Sequence, residues 1–412
     1  MSAPFPLSRA DELPRWRRPE ALLVVMTVAM TLAFSTWMAA LNNFAVEVAR
    51  FDGLDMGVLH AVREIPGFLA FLVVYIVIVI AEQRLALVSL LLLGLGTALV
   101  ADLPTWQGLM LTTLISSIGF HYFETVNQSL QLQWLPKHRA PKALGLILGA
   151  ASATSLAVYG AIALWGWLGT GDFRPVYYVG GGLCAALTLA AWALWPQFEG
   201  PARQGKRIVL RRRYWLYYAL TFMSGARRQI FTVFAAFMMV EKFGFRLQDV
   251  TVLFLGAYVA SMICAPLFGR FIARFGERAA LTLEHLGLVL VFGAYAGVYF
   301  FDWSAQLALG LYVLDHLLFS LAFAAKTYLQ KIADPADHAS TAAVAFTINH
   351  IAAVALPAPL GLLWLYDPGM VYALACGLAL TALCFATLVP RHPEPGRETT
   401  LAGRAPLAAP AE

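Results

Sequence analysis

Twelve apolar runs dominate this chain, and nothing else constrains its fold as much. They lie at residues 21–45, 54–80, 85–101, 106–134, 142–166, 174–195, 214–240, 248–268, 279–301, 305–332, 339–364 and 369–389. Crossing the hydrocarbon core of a bilayer takes about 20 helical residues. Only helices and closed barrels can satisfy their backbone polar groups there, and these runs are too long for barrel strands. The expectation is an all-α integral membrane protein of twelve transmembrane helices in two six-helix bundles. Composition agrees: of 412 residues, 60% are hydrophobic and only 13% charged. So few charges do not cover a soluble protein of this size. The first run reads as a span and not as a cleaved signal peptide, because no short core and small-residue cleavage site are present. The four cysteines, Cys184, Cys264, Cys376 and Cys384, all fall in apolar runs. They read as packing residues, with no disulfide or metal role.

Charge fixes the orientation. With the N-terminus inside, 21 of the 29 Lys and Arg residues fall on the cytoplasmic side. They include Arg9, Arg15, Arg17 and Arg18 in the tail and the run from Arg203 to Arg213. The opposite side holds Arg50, Arg174, Lys242 and Arg246. The positive-inside rule places both termini in the cytoplasm. The longest internal polar stretch, 196–213, divides six spans from six. The expected organisation is a cytoplasmic tail at 1–20, a bundle at 21–195, a basic linker at 196–213, a second bundle at 214–390 and a disordered cytoplasmic tail at 391–412. The basic linker is read as a topology anchor, with contact to anionic head groups as a second reading. The two bundles echo each other weakly. Leu130-Gln131 followed by Pro136 and His138 parallels Leu329-Gln330 followed by Pro335 and His338.

Between spans 8 and 9 the chain reads Gly269, Arg270, Phe271, Ile272, Ala273, Arg274, Phe275, Gly276, Glu277, Arg278. This resembles the G-x-x-x-D-R-x-G-R-R loop of the major facilitator superfamily of secondary transporters. Gly269, Arg274, Gly276 and Arg278 match, whereas Ala273 replaces the acid and Glu277 replaces the first closing basic residue. The glycines are expected to turn the chain tightly and the arginines to hold it at the cytoplasmic surface. The resemblance implies two parallel six-helix halves that rock about a midplane site, with this loop as a cytoplasmic gate. It also implies that helices 1, 4, 7 and 10 line the cavity.

Deep polar residues concentrate on those helices. In span 4, His121, Glu124, Gln128 and Gln131 share a helical face, with Asn127 beside it. In span 10, Asp315 and Lys326 are about three turns apart, with His316 adjacent and Gln330 one turn on. Arg227 and Arg228 lie mid-way along span 7 and cannot both face the same way. Arg63 and Glu64 sit in span 2, and Asn349 and His350 in span 11 ahead of Pro357 and Pro359, where a kink is expected. Asn42 and Asn43 sit near the outer end of span 1, and Glu284 with His285 near the start of span 9, where contact with the 8–9 loop is expected.

Arg63, Arg227, Arg228 and Lys326 outnumber Glu64, Glu124 and Asp315. Guanidinium groups bind carboxylates bidentately, so an anionic or zwitterionic organic solute is expected. Its contacts are assigned to Arg63, Arg227, Arg228, Lys326, Asn127, Gln128, Gln131, Asn349 and His350. Proton exchange is assigned to Glu124, Asp315, His121 and His316. The alternatives are a multidrug/proton antiporter and a non-transporting sensor or assembly factor on a transporter fold. Span 5 lacks a proline between Lys142 and Gly166, which argues against the antiporter. No enzyme is expected: His-Glu-x-x-His and the Walker loop are absent, and Gly169-Thr170-Gly171-Asp172 falls in an outer loop. The expected partners are the solute, the lipid bilayer and protons, with no cofactor, metal or nucleic acid. A monomer in a bacterial inner membrane is expected.

Overall fold

The computed structural model describes residues 4–135, 140–169, 171–198, 210–334 and 338–401. Helix accounts for nearly all of them. In order these are α1 (Pro19–Glu47), α2 (Gly53–Phe68), α3 (Val73–Val79), α4 (Glu82–Ala98), α5 (Trp106–Trp134), α6 (Ala140–Trp167), α7 (Arg174–Leu194), α8 (Trp215–Ile230), α9 (Ala236–Glu241), α10 (Leu247–Phe300), α11 (Ala305–Leu318), α12 (Phe323–Ile332), α13 (His338–Ala355), α14 (Pro357–Tyr366) and α15 (Pro368–Thr387). The twelve apolar runs map onto them directly. Span 2 is α2 and α3 joined by a 3-10 turn at Leu69–Leu72, and span 10 is α11 and α12 joined by one at Phe319–Ala322. Span 7 is α8 and α9 joined by a π turn at Phe231–Ala235. Span 11 breaks before Pro357, as a ring without an N–H requires. Spans 8 and 9 both lie in α10, which is interrupted at Gly276.

Local sequence sets the ends. Thr105 accepts from the amide of Gly108 to start α5, and Asp367 accepts from Gly369 to start α15. Pro19, Pro357 and Pro368 occupy first-turn positions, where a missing N–H costs nothing. Of the two loop glycines expected to turn the chain, only Gly276 does so. Its φ of 83° and ψ of 171° suit a residue without Cβ, whereas Gly269 is ordinary helix. Glu277 is buried beside this break and pairs with Lys331 at 2.8 Å.

The chain divides into two compact units. The first comprises Met1–Phe51, Val62–Gln204 and Gly244–Leu255; the second comprises Asp52–Ala61, Gly205–Phe243 and Gly256–Glu412. In the first, Leu22, Met26, Leu90, Leu93, Phe123 and Val126 form a buried core. Lipid tails are as apolar as these side chains, so close backbone approach must supply the packing. Gly94 of α4 and Gly181 of α7 provide it: a Cβ on Gly181 would sit 2.3 Å from the carbonyl oxygen of Gly94. The N-terminal segment docks on this unit. Phe5 meets Phe198 edge-on at 6.3 Å, Trp16 meets Trp195 at 5.8 Å, and the Phe5 amide donates to the carbonyl of Gln197.

Aromatic packing holds the second unit. Trp364 stacks on Phe234 at 5.0 Å and donates Nε1–H to Glu241 at 2.8 Å. The hydroxyl of Tyr372 donates to the carbonyl of Phe234, inside the π turn. Outside the spans, Lys242 beside Asp302 at 2.8 Å holds that carboxyl below its ordinary value. The tail expected to be disordered is folded as far as residue 401. Tyr328 donates to the carbonyl of Glu398, the Thr400 amide donates to Leu388, and Glu398 and Thr399 are buried. Residues 402–412 lie outside the described residues. A buried hydroxyl donor presented by Tyr328 and an unspent carbonyl at the end of α15 hold the tail in place.

The α4–α7 contact makes a prediction. Gly181→Ala forces the two helices apart and lowers the melting temperature of the purified protein, at a cost of about 1–3 kcal/mol. An unchanged melting curve overturns the close-packing account.

Candidate functional site

In the first unit, α2 carries Arg63 and Glu64 on consecutive positions, and the two side chains pair at 2.7 Å. Pro66, three residues on, interrupts the backbone ladder. The carbonyl of Arg63 accepts a hydrogen bond from the hydroxyl of Ser117 of α5. The guanidinium lies 5.6 Å from the ring of Phe34 and 5.2 Å from that of Trp37, one turn apart on α1. Phe120 of α5 stacks on Phe34 at 4.5 Å. Phe34, Trp37, Arg63, Leu93, Ser116, Ser117 and Phe120 line a small cavity. A guanidinium against aromatic faces keeps part of its charge satisfied without water.

His121 of α5 extends the group. Its Nδ1 lies 3.0 Å from both the hydroxyl and the carbonyl oxygen of Ser117, and its Nε2 lies 3.9 Å from Glu64. Arg63, Glu64, His121 and Ser117 thus form a chain of titratable and polar groups along one wall. The rest of the expected stripe on α5 is unevenly placed. Glu124 and Gln131 are half-buried, Gln128 is exposed, and Asn127 is buried with its Oδ1 unmatched among the described residues. Asn43, expected at a wet helix end, is fully buried and donates to Glu47 and to the carbonyl of Phe245. Phe34, Trp37, Ser117 and Phe120 were not singled out in the sequence. The 34/37 spacing on a cavity helix and the 117/121 spacing on α5 were the available signals.

In the second unit, Arg227 of α8 pairs with Asp315 of α11 at 2.9 Å and lies 5.0 Å over the ring of Phe319. Arg227 is 5% exposed and Asp315 fully buried. Arg228 points elsewhere and is half-buried, so the two arginines do separate as their adjacency requires. Lys326, expected on the face of Asp315, is exposed, as is Gln330. The 3-10 turn at Phe319–Ala322 has three residues per turn and breaks the α-helical phase between them. His316 is half-buried beside Phe231. Asn349 packs on Gly225 and donates to the carbonyl of Thr221, and His350 bonds the carbonyl of Phe346.

Glu284 and His285 require a correction. Expected against the 8–9 loop, they are instead 1% and 3% exposed and lie within electrostatic reach of Arg227. With Glu284 counted, four carboxylates match the four cations Arg63, Arg227, Arg228 and Lys326. The excess of core positive charge read from the sequence disappears, and two of the guanidiniums already hold a carboxylate.

A sequence profile described as the Major Facilitator Superfamily matches residues 21–357. No curated protein matches the chain. Among solved structures, a mutant form of the nucleoside transporter NupG superposes with a TM-score of 0.73 at 16% identity, covering 89% of this chain and 99% of that one. A bacterial homologue of the human lysosomal transporter Spinster, inward-facing and occupied, gives 0.66 at 14% identity over 90% and 96%. The inward-open xylose transporter XylE from E. coli gives 0.66 at 13% identity over 90% and 96%. At these identities the likeness is one of fold.

The Arg227–Asp315 pair yields a stability prediction. Arg227→Ala leaves buried carboxylate without its counter-charge and destabilises by about 3–5 kcal/mol. The double variant Arg227→Met with Asp315→Leu recovers most of that loss. Thermal unfolding of the single and double variants checks both, and equal losses in the two overturn the pairing argument.

Proposed function

This chain belongs to the Major Facilitator Superfamily, and on that premise we propose that it is a proton-coupled secondary transporter of a small zwitterionic or neutral polar organic solute. One observation carries the reading. Arg63, paired with Glu64 at 2.7 Å, lines a small cavity walled by Phe34, Trp37 and Phe120. A solute carboxylate or hydroxyl meets the guanidinium, an ammonium or hydroxyl meets Glu64, and an apolar or planar part lies on the rings. A net anion is disfavoured because neither Arg63 nor Arg227 is without a carboxylate. The same fold hosts nucleoside and xylose transport, so it imposes no demand for a charged solute.

The mechanism is alternating access in a multi-pass membrane protein, with 21–195 and 214–390 as its two bundles and 196–213 as a cytoplasmic linker. Arg228, Lys326, Asn127, Gln128, Gln131, Asn349 and His350 supply further solute contacts. Glu124, Asp315, His121 and His316 are the proton carriers. The loop Gly269, Arg274, Gly276, Glu277, Arg278 serves as the cytoplasmic gate. The ion pair of buried Glu277 with exposed Lys331 supplies the acid–base contact that Ala273 no longer provides. The protein works as a monomer in a bacterial inner membrane, with both termini inside, as its basic residues demand.

Thermal stabilisation tests the solute class. Amino acids, nucleosides, sugars, carboxylates and organic cations are screened against the purified protein. A ligand at about 100 times its Kd adds about 2.7 kcal/mol and raises the melting temperature. Zwitterions or polyols are expected to stabilise, and Arg63→Gln is expected to abolish the effect. Stabilisation by lipophilic cations alone overturns the reading in favour of a multidrug antiporter. Proton coupling has its own test. Glu124→Gln is expected to flatten the pH dependence of solute uptake in proteoliposomes. Unchanged pH dependence removes Glu124 from the proton path.

A further inference from the structure

The chain beyond α15 folds back onto the second unit. Residues 390–401 are rich in proline and charge, a composition that does not order by itself. Three contacts order it here. The Thr400 amide donates to the carbonyl of Leu388 at 2.8 Å and closes the segment into a loop. The Tyr328 hydroxyl of α12 donates to the carbonyl of Glu398. The carbonyl of Arg391 lies against the break in α10, where a Cβ on Gly276 would sit 3.8 Å from it. Within the loop, the Arg397 amide donates to the carbonyl of Glu394 and the Gly396 amide to the side chain of Glu398. Pro393, Glu398 and Thr399 are buried, so the loop has a packed face. All of these residues belong to the second unit.

The helix that the loop grips is short and hinged. α12 has ten residues and joins α11 through the 3-10 turn at Phe319–Ala322. Its far end is held by three separate segments. Tyr328 reaches the loop, and Lys331, one turn on, pairs with Glu277 beside the α10 break at 2.8 Å. Just past the helix, the Asp334 amide donates to the hydroxyl of Tyr214 and its carboxylate pairs with Arg213, both ahead of α8. Lys331 and Asp334 are exposed, where water and salt weaken a charge pair. Tyr328 is fully buried, so letting the loop go leaves its hydroxyl without an acceptor. The loop is thus the one of these three holds for which solvent does not compete.

We propose that the loop closed by Leu388 and Thr400 is an intramolecular clamp on α12, fixing the second half of span 10 to the end of α15 and to the α10 break at Gly276. With the loop docked, α12 and α15 form one body. With the loop released, α12 swings about the Phe319–Ala322 turn, restrained by its exposed ion pairs and its packing on α8. The device has two discrete states, because the Tyr328 hydroxyl either holds the Glu398 carbonyl or does not. The inference concerns a moving part of the protein and is independent of the solute and coupling ion proposed above.

Hydrogen–deuterium exchange read by mass spectrometry, on the purified protein in liposomes, tests this with no ligand present. In the wild type, the amides of α12 and of Thr400 are expected to be protected. Tyr328→Phe removes one oxygen and keeps the ring. It is expected to speed exchange at Thr400 and across α12 at least tenfold, with α1 and α4 of the first unit unchanged. A chain ending at Val389 is expected to reproduce the change in α12. Loop amides that stay protected in Tyr328→Phe overturn the proposal. A freed loop with α12 still protected marks a passive appendage and overturns it too, as does loosening spread evenly over both units. Should the shortened chain fail to fold, the Tyr328→Phe comparison decides alone.

Discussion

A bilayer interior supplies no water to finish a broken backbone or neutralise a charge. The helices here show what that requires wherever they depart from regularity. Beside Pro66 the Ser117 hydroxyl bonds the carbonyl of Arg63. At the π turn the carbonyl of Phe234 is met by the Tyr372 hydroxyl. Arg227 inside the second unit has Asp315, and Arg63 inside the first has Glu64. Each irregularity places a side chain where a straight helix would not, and each sits beside a group with chemistry to offer.

The two guanidiniums are treated differently. Arg63 keeps two aromatic rings and a small cavity at hand beside its partner Glu64. Arg227 is sealed against Asp315 and Phe319. Sealing raises the energetic weight of every charge in the cluster, because a low local dielectric strengthens both attraction and repulsion.

Much of the fold was legible in the sequence because spans are long, and their period is set by lipid thickness alone. The break ahead of Pro357 was legible for the same local reason: the ring's missing N–H acts within one turn. The site was less legible. Asp315 and Lys326 share a face only if the helix between them is regular, and the 3-10 turn at Phe319–Ala322 is invisible in composition. Glu284 looked peripheral because its depth was judged along its own helix. Its burial is decided by α8 and α11, far away in sequence. The apparent surplus of positive charge came from that one omission. Trp37 and Phe34 read as ordinary apolar residues until the guanidinium of Arg63 was placed beside them.

The π turn at Phe231–Ala235 has a further consequence. A wide turn is a dislocation in a helical lattice: it stores one residue of slack within an otherwise continuous rod. Here it sits between Arg227, gripped by Asp315, and Phe237, packed on Trp364. Span 7 therefore joins two anchored ends through a turn wider than the helix on either side.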